Sequence, residues 1–186
     1  RLVQESRHQE ERDALDVRWN LFLEKAGLIG IPVPSGIDLD QLISAVNNIS
    51  GLIISGGGDL GALSNDPSET ARDELESSLC DRMFKLGLPV LGVCRGMQML
   101  AYRDGFSLCK SNGHVGTRHV LKVALESKWF AGHDGQGVNS YHNYSIYGTG
   151  TGLKPAGYAA DGVIEAIESP NQRIAGIMWH PEREQS

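Results

Sequence analysis

The segment Gly92-Val93-Cys94-Arg95-Gly96 constrains this chain more than any other. The apolar residues Val90, Leu91 and Val93 lead into it, and Met97, Met99 and Leu100 follow at helical spacing. A strand that meets Gly-x-Cys-x-Gly and passes at once into a helix must turn sharply at the cysteine. Glycines on either side permit that strained turn, which is the cysteine form of the nucleophile elbow. A thiol in this position sits at a helix N-terminus, where unpaired N–H groups and the macrodipole favour the thiolate. Cys94 is the candidate nucleophile.

The chain has 186 residues, which suits one domain with a proper core. Lys and Arg total 17 and Asp and Glu total 23, a net charge of -6, which argues against a nucleic-acid or anionic-membrane footprint. No apolar run approaches the ~20 residues that span a bilayer. No secretory signal is seen, although the chain begins at Arg1. The three cysteines, Cys80, Cys94 and Cys109, are odd in number and form no Cys-x-x-Cys, so neither a disulfide framework nor a zinc knuckle is expected. A reducing cytoplasm fits this usage. Cys80 and Cys109 read as small core residues.

Alternating strand and helix signals in the first half predict an α/β fold with a mostly parallel, doubly wound sheet. Residues 9–26 put Ala14, Leu15, Trp19, Phe22, Leu23 and Ala26 on one helical face, closed by Gly27. A short strand over 28–33 and a helix over 38–49 come next. A buried strand over 51–55 enters Gly56-Gly57-Gly58-Asp59. Asp66-Pro67-Ser68-Glu69 has the pattern of a capped helix start, with the helix running to about residue 86. From residue 105 on, strands over 120–125, 153–159, 162–167 and 173–179 suggest a smaller, partly antiparallel region. The first helix lacks a strand before it, so the opening strand of a β-α-β unit is expected upstream of this sequence. The whole of 1–186 reads as a single domain.

A cysteine nucleophile needs a base, and the base needs an orienting group. His180 is the strongest of six histidines. It follows the apolar Ile177-Met178-Trp179 and so stands at a strand end, where α/β active sites gather. Glu182 can fold back to fix the imidazole tautomer, as the third member of a triad does. Attack on an amide creates an oxyanion, which needs preorganised donors. The Arg95 backbone N–H is one candidate, and Gly57, with Gly58 beside it, offers another. Gly56-x-Gly58-x-x-Gly61 also matches a dinucleotide fingerprint. That reading fails because the next helix has its own cap later and the following strand ends in Gly-Val-Cys without an acid.

Five ordered blocks resemble the class I glutamine amidotransferase-like superfamily, and its stand-alone γ-glutamyl hydrolases in particular: Ser55-Gly56-Gly57-Gly58-Asp59-Leu60, Arg72-Asp73-x-x-Glu76, Gly92-Val93-Cys94-Arg95-Gly96-Met97-Gln98, Asn139-Ser140-Tyr141-His142-Asn143 and Trp179-His180-Pro181-Glu182. The resemblance implies a flavodoxin-like α/β fold and a Cys94-His180-Glu182 triad. It also implies attack on a γ-glutamyl carbonyl through a thioester. The opening residues 1–19 look like a bacterial subgroup, tied to capsule sugar-phosphoramidate synthesis, that hydrolyses a γ-glutamyl nucleotide amidate. Two departures stand out: Tyr102-Arg103-Asp104-Gly105-Phe106 replaces the usual Asn and Gly-Gly after the elbow helix, and the leading strand is absent.

Weaker site candidates complete the set. Asn139, Ser140 and His142 lie on a loop whose counterpart in the family faces the substrate. Gln98, one turn after Cys94, can touch the glutamyl group or support the pocket wall. His114 and His119 are candidates for the pocket border. Arg72 and Asp73 read as an ion pair at a helix surface or interface. Neither metal nor organic cofactor is required by this chemistry. The expected partner is a small γ-glutamyl molecule, with a synthetase or a second copy of the chain as the protein partner. Three functions compete: a free-standing hydrolase, a glutaminase subunit passing ammonia to a synthetase, and a non-catalytic binding relative.

Overall fold

The computed structural model describes residues 2–46, 48–64, 66–170 and 173–184. The chain opens with a hairpin of β1 (Leu2–Glu5) and β2 (Glu10–Asp13), then α1 (Arg18–Lys25). The expected helix over 9–26 is therefore half as long. Glu10, Glu11, Arg12 and Asp13 carry no apolar stripe and are all exposed, so nothing holds that stretch helical against a surface. Only Trp19 and Leu23, four residues apart, are buried from α1, while Leu15 is exposed.

The expected strand over 28–33 does not form. Ile29 and Ile31 are exposed, and Pro32 and Pro34 remove two ladder donors. α2 (Leu39–Ala45) begins at Asp38, whose side chain accepts from the N–H groups of Asp40 and Gln41. β3 (Leu52–Ile54) enters the glycine loop. α3 (Pro67–Leu86) begins as its capping pattern predicts: Asp66 accepts from Ser68 N–H at 2.9 Å, and Gly87 closes the helix in the left-handed region. Glu69 does not complete a reciprocal cap. Its carboxylate lies instead against Gly58 of the glycine loop.

β4 (Val90–Val93) and α4 (Arg95–Asp104) form the elbow. The second half supplies β5 (Ser107–Lys110), β6 (Val115–Val120), β7 (Lys122–Val123), β8 (Gly137–Tyr141), β9 (Tyr144–Tyr147), β10 (Lys154–Tyr158), β11 (Ile164–Glu168) and β12 (Ile174–Ile177). The main sheet has the order β3-β4-β12-β11-β10-β7. β3, β4 and β12 run parallel, and pairing is antiparallel from β11 outward. The α/β class is as expected, but the sheet is mixed where a mostly parallel one was expected, with two parallel and three antiparallel pairings, because β11, β10 and β7 join it without helical crossovers. The antiparallel part continues the parallel part in one sheet. Two ribbons stand beside it, β5 with β9 and β6 with β8. Gly, Asn and single polar residues interrupt these ribbons, which hid their period from sequence reading.

Two apolar clusters cover the sheet. One gathers Met97, Leu100, Phe106, Ile146, Ile167 and Met178; the other gathers Trp19, Val93, Leu121, Val138, Ala166 and Trp179. Cys80 is in the first cluster as expected, whereas Cys109 is exposed on β5. Every residue of β11 is buried, including Glu165 and Glu168. Among the described residues, no helix is long and apolar enough to cross a membrane.

Candidate active site

Cys94 sits between β4 and α4 with φ 52° and ψ -107°. A non-glycine residue held at positive φ costs about 1–3 kcal/mol, which the surroundings must offset. Its own N–H donates to Ile177 O at 2.8 Å, and its carbonyl accepts from Gln98 N–H at 3.0 Å. The flanking glycines are required by close approach. A Cβ on Gly92 would lie 2.5 Å from Gly96 O, and one on Gly96 would collide with the carbonyl of Ile54. Strand and helix therefore meet backbone to backbone, and the sulfur is lifted out of the sheet.

β12 runs parallel beside β4 and delivers His180 to the same end of the sheet. A single turn over Pro181–Arg183 folds Glu182 back, so that its Oε1 lies 2.7 Å from His180 Nδ1. With Nδ1 bonded to a carboxylate, Nε2 is the nitrogen left for the sulfur. Both side chains border Gly56. A Cβ there would lie 3.2 Å from Cys94 Cβ, 3.4 Å from His180 Nε2 and 2.6 Å from His180 Cε1. Absence of a side chain at position 56 thus leaves room for imidazole and cysteine together. The Tyr141 ring packs edge-on to His180 at 6.1 Å.

Burial pushes the Cys94 thiol up to about 12, and the Arg95 N–H, which donates to the sulfur, pulls the other way. Desolvation therefore opposes the thiolate that the helix N-terminus favours. Cys94 is 7% exposed and lines a cavity, so it remains reachable.

The Arg95 side chain turns away from the sulfur into α3. Its guanidinium is buried against Glu76 and Asp73 and donates to Asp59 O at 3.1 Å. Arg72 does not pair with Asp73 as expected. It bonds Glu76 at 2.7 Å and donates to the carbonyls of Gly57 and Ser55 at 2.5 and 2.9 Å. Asp73 accepts instead from Gly61 N–H at 2.7 Å, and burial raises its pKa against the pull of Arg95. Glu69 Oε2 lies 3.6 Å from Arg95 Nε, so two arginines and three carboxylates fasten the glycine loop to α3. Gly57 and Gly58 both have positive φ, 95° and 76°. In a trans peptide the N–H points opposite to the preceding carbonyl, so Arg72 fixes the direction of the Gly58 N–H.

A cavity of about 300 Å³ opens at the elbow. Cys94, His180, Gly57, Gly58, Gln98 and His142 line it, as do Asp59, Tyr141, Asn143, Tyr144 and Arg183. Gln98 donates to Tyr144 O at 2.8 Å and so supports the wall. His142 shows the cavity only its ring, since Nδ1 bonds Tyr144 O at 3.0 Å and Nε2 faces Glu165. Asn139 and Ser140 do not reach the cavity. Asn139 holds the backbone of His180, and Ser140 donates to His114 O. Both residues lie within β8 and are buried there on opposite faces of the strand. His114 and His119 are likewise off the cavity wall.

Residues 1–182 match the Peptidase C26 family. The chain belongs to it, and with it to the class I glutamine amidotransferase-like superfamily. A γ-glutamyl-CDP-amidate hydrolase of Campylobacter jejuni is 30% identical over 99% of this chain and 88% of its own length. GMP synthase [glutamine-hydrolyzing] of Syntrophomonas wolfei is 34% identical over 58% of this chain and 21% of its own. A glutamine amidotransferase structure from Methylobacillus flagellatus superposes with a TM-score of 0.66 at 17% identity, covering 90% of this chain and 65% of that one. This peptidase C26 protein is thus a glutamine amidotransferase-like hydrolase. Asp59, Tyr141, Asn143, Tyr144 and Arg183 line the cavity and were not among the expected site residues. Arg183 had a signal, since it directly follows Glu182 in the turn that aims at the cavity.

Proposed function

We propose that the protein hydrolyses a γ-glutamyl C–N bond with Cys94 as nucleophile, His180 as base and Glu182 as its orienting carboxylate. The observation that carries this reading is the 2.7 Å His180–Glu182 bond beside Cys94 at the mouth of the cavity. His180 Nε2 takes the thiol proton as sulfur attacks the γ-carbonyl carbon. The carbonyl oxygen becomes an oxyanion and accepts from the Arg95 N–H and from an N–H of Gly57 or Gly58. The C–N bond breaks, the imidazolium returns its proton to the leaving nitrogen, and a γ-glutamyl thioester remains. Water then gives a proton to His180 and opens the thioester to glutamate and free thiol. A thiol that rests protonated suits a base that acts only when substrate is in place.

The leaving group we assign is a nucleotide amidate, supported by the Campylobacter enzyme that this chain matches across nearly its whole length. Arg183 lines the cavity with its Nε 3.6 Å from Glu182 Oε1, and its terminal nitrogens are the partner we assign to an anionic group of such a substrate. The test is glutamate release from glutamine, simple γ-glutamyl amides and γ-glutamyl nucleotide amidates, beside Cys94→Ala. A loss of ~10⁴-fold or more is expected for the variant. Full activity of Cys94→Ala would reject the mechanism. A second reading, a glutaminase feeding ammonia to a synthetase, is supported by the GMP synthase match. Glutamine as the sole substrate, with turnover raised by a partner, would select it.

A further inference from the structure

Behind the cavity wall, His114, His142 and Glu165 converge. One atom from each lies within 4.8 Å of the others, and all three residues are buried. Glu165 Oε1 is 3.4 Å from His114 Nδ1 and 3.4 Å from His142 Nε2. Those two nitrogens and both Glu165 oxygens have no hydrogen-bond partner. Glu168, three residues along the same strand, shows what a satisfied buried carboxylate looks like here. It accepts from Ser127 Oγ at 2.9 Å, Lys128 N–H at 2.8 Å and Trp129 N–H at 3.0 Å.

The outer nitrogens settle which lone pairs point inward. His142 Nδ1 meets the carbonyl of Tyr144 at 3.0 Å, and His114 Nε2 meets Asp161 Oδ2 at 2.9 Å. Each of those nitrogens must donate, because its partner is only an acceptor. In the neutral ring the inward nitrogen is then a bare lone pair, and both bare lone pairs face a carboxylate oxygen. Three acceptors converge with no donor between them, so a cation belongs there. A carboxylate or carbonyl bonded to the outer N–H is how metal-ligating histidines are held. The 3.4 Å separations match the ~3.3 Å edge of a tetrahedron whose metal–ligand bonds are ~2.0–2.1 Å.

We propose that His114 Nδ1, His142 Nε2 and Glu165 bind one divalent transition-metal ion, Zn²⁺ by ligand chemistry. His₂Glu is a zinc donor set, and it leaves one tetrahedral position for water or for His119 Nε2. That nitrogen is also buried with no hydrogen-bond partner, and the His119 ring lies 4.4 Å from the His114 ring, tilted by 45°. The ion is structural. It pins the end of β8 to β11 and so fixes the segment from His142 to Tyr144 that walls the cavity. The sequence reading required no metal for the reaction, and this site asks none of it, since Cys94 is not among its ligands.

The experiment uses the 186-residue chain with Cys94→Ala, so that the elbow thiol cannot ligate. Chelator-treated protein is titrated with Co²⁺ and then Zn²⁺ by absorption spectroscopy and calorimetry. Expected is one Co²⁺ per chain, with visible d–d bands but no sulfur-to-metal charge-transfer band, displaced by one Zn²⁺, with a raised melting temperature. Asp161→Asn, a change at a half-exposed position, should weaken binding about 10–100-fold. His114→Gln should abolish the bands. Absence of saturable Co²⁺ or Zn²⁺ binding in the folded Cys94→Ala chain overturns the proposal, and leaves a proton as the cation of the cluster. Binding unchanged by both His114→Gln and Asp161→Asn overturns it as well. The glutamate-release assay is separate, so failure here leaves the hydrolase reading standing.

Discussion

Asn139 grips His180 by its backbone on both sides: Oδ1 accepts from the His180 N–H at 2.9 Å, and Nδ2 donates to the His180 carbonyl at 2.7 Å. The side chain of Asn139 also donates to Glu184 Oε1 at 2.8 Å. A residue expected at the substrate therefore positions His180 from behind. Asn139→Leu leaves buried polar groups unpaired and should cost about 1–3 kcal/mol of stability. A displaced imidazole should lower kcat by ~10²-fold with little change in KM. Steady-state kinetics and urea unfolding of the same preparation check both.

The two reactive thiols differ in exposure and should separate by chemistry. Cys109 is exposed, whereas burial raises Cys94 to about 12. At neutral pH iodoacetamide should label Cys109 before Cys94, by at least tenfold in rate. A γ-glutamyl diazo-ketone, which fills the cavity, should reverse the order. Peptide mapping after timed quenching reads this directly, and faster iodoacetamide labelling of Cys94 would contradict a resting thiol.

Alkaline pH should destabilise the fold through Cys80 and Cys94. Burial raises both to about 12, while an unfolded thiol ionises near 8.5–9. Above the unfolded value the unfolded chain binds fewer protons than the native one. The stability these thiols contribute is complete below pH ~8.5 and is lost as pH rises toward about 12. Each thiol contributes a slope of about 1.4 kcal/mol per pH unit in that window. Unfolding free energies between pH 8 and 10.5 should fall less steeply by that amount in Cys80→Ala or in Cys94→Ala.

Arg95→Met tests the fastening of the glycine loop. It keeps the backbone N–H but leaves Glu76 and Asp73 without their buried partner. Breaking a buried pair from one side costs about 3–5 kcal/mol. Thermal unfolding should show that loss, and Arg95→Lys should recover only part of it, because an ammonium cannot satisfy two carboxylates and Asp59 O at once.

Arg183→Ala should act on binding. The guanidinium lies 5.0 Å from the Tyr141 ring centre, at the cavity, with Nε 3.6 Å from Glu182 Oε1. Its loss should raise KM ~10–100-fold for an anionic leaving group and leave kcat within a few-fold. An equal effect on glutamine and on a nucleotide amidate would place Arg183 at the glutamyl portion instead.

The legible parts were those where backbone sterics and local capping act alone. Gly92, Cys94 and Gly96 encode a turn that only one topology accommodates, and Asp66-Pro67 encodes its helix start without help. His180 and Glu182 are two residues apart, so their pairing is a local matter as well. What stayed hidden depends on tertiary contact. The helical stripe from Ala14 to Ala26 is real only where Trp19 and Leu23 find a surface. Nothing near Asn139 in sequence announces that it bonds a backbone 41 residues away. The gathering of His114, His142 and Glu165 needs three strands to come together first.

The jammed contact of Gly92 with Gly96, and of Gly96 with Ile54, means that the elbow has no slack. The position of Cys94 cannot be adjusted by a side chain at either glycine without breaking that contact. The ribbons between residues 107 and 147 reach the cavity from outside the main sheet, through Tyr141 to Tyr144. Exchanging Gly92 or Gly96 would move the sulfur itself, whereas exchanging Tyr141 or Tyr144 would reshape the opposite wall and leave the turn in place.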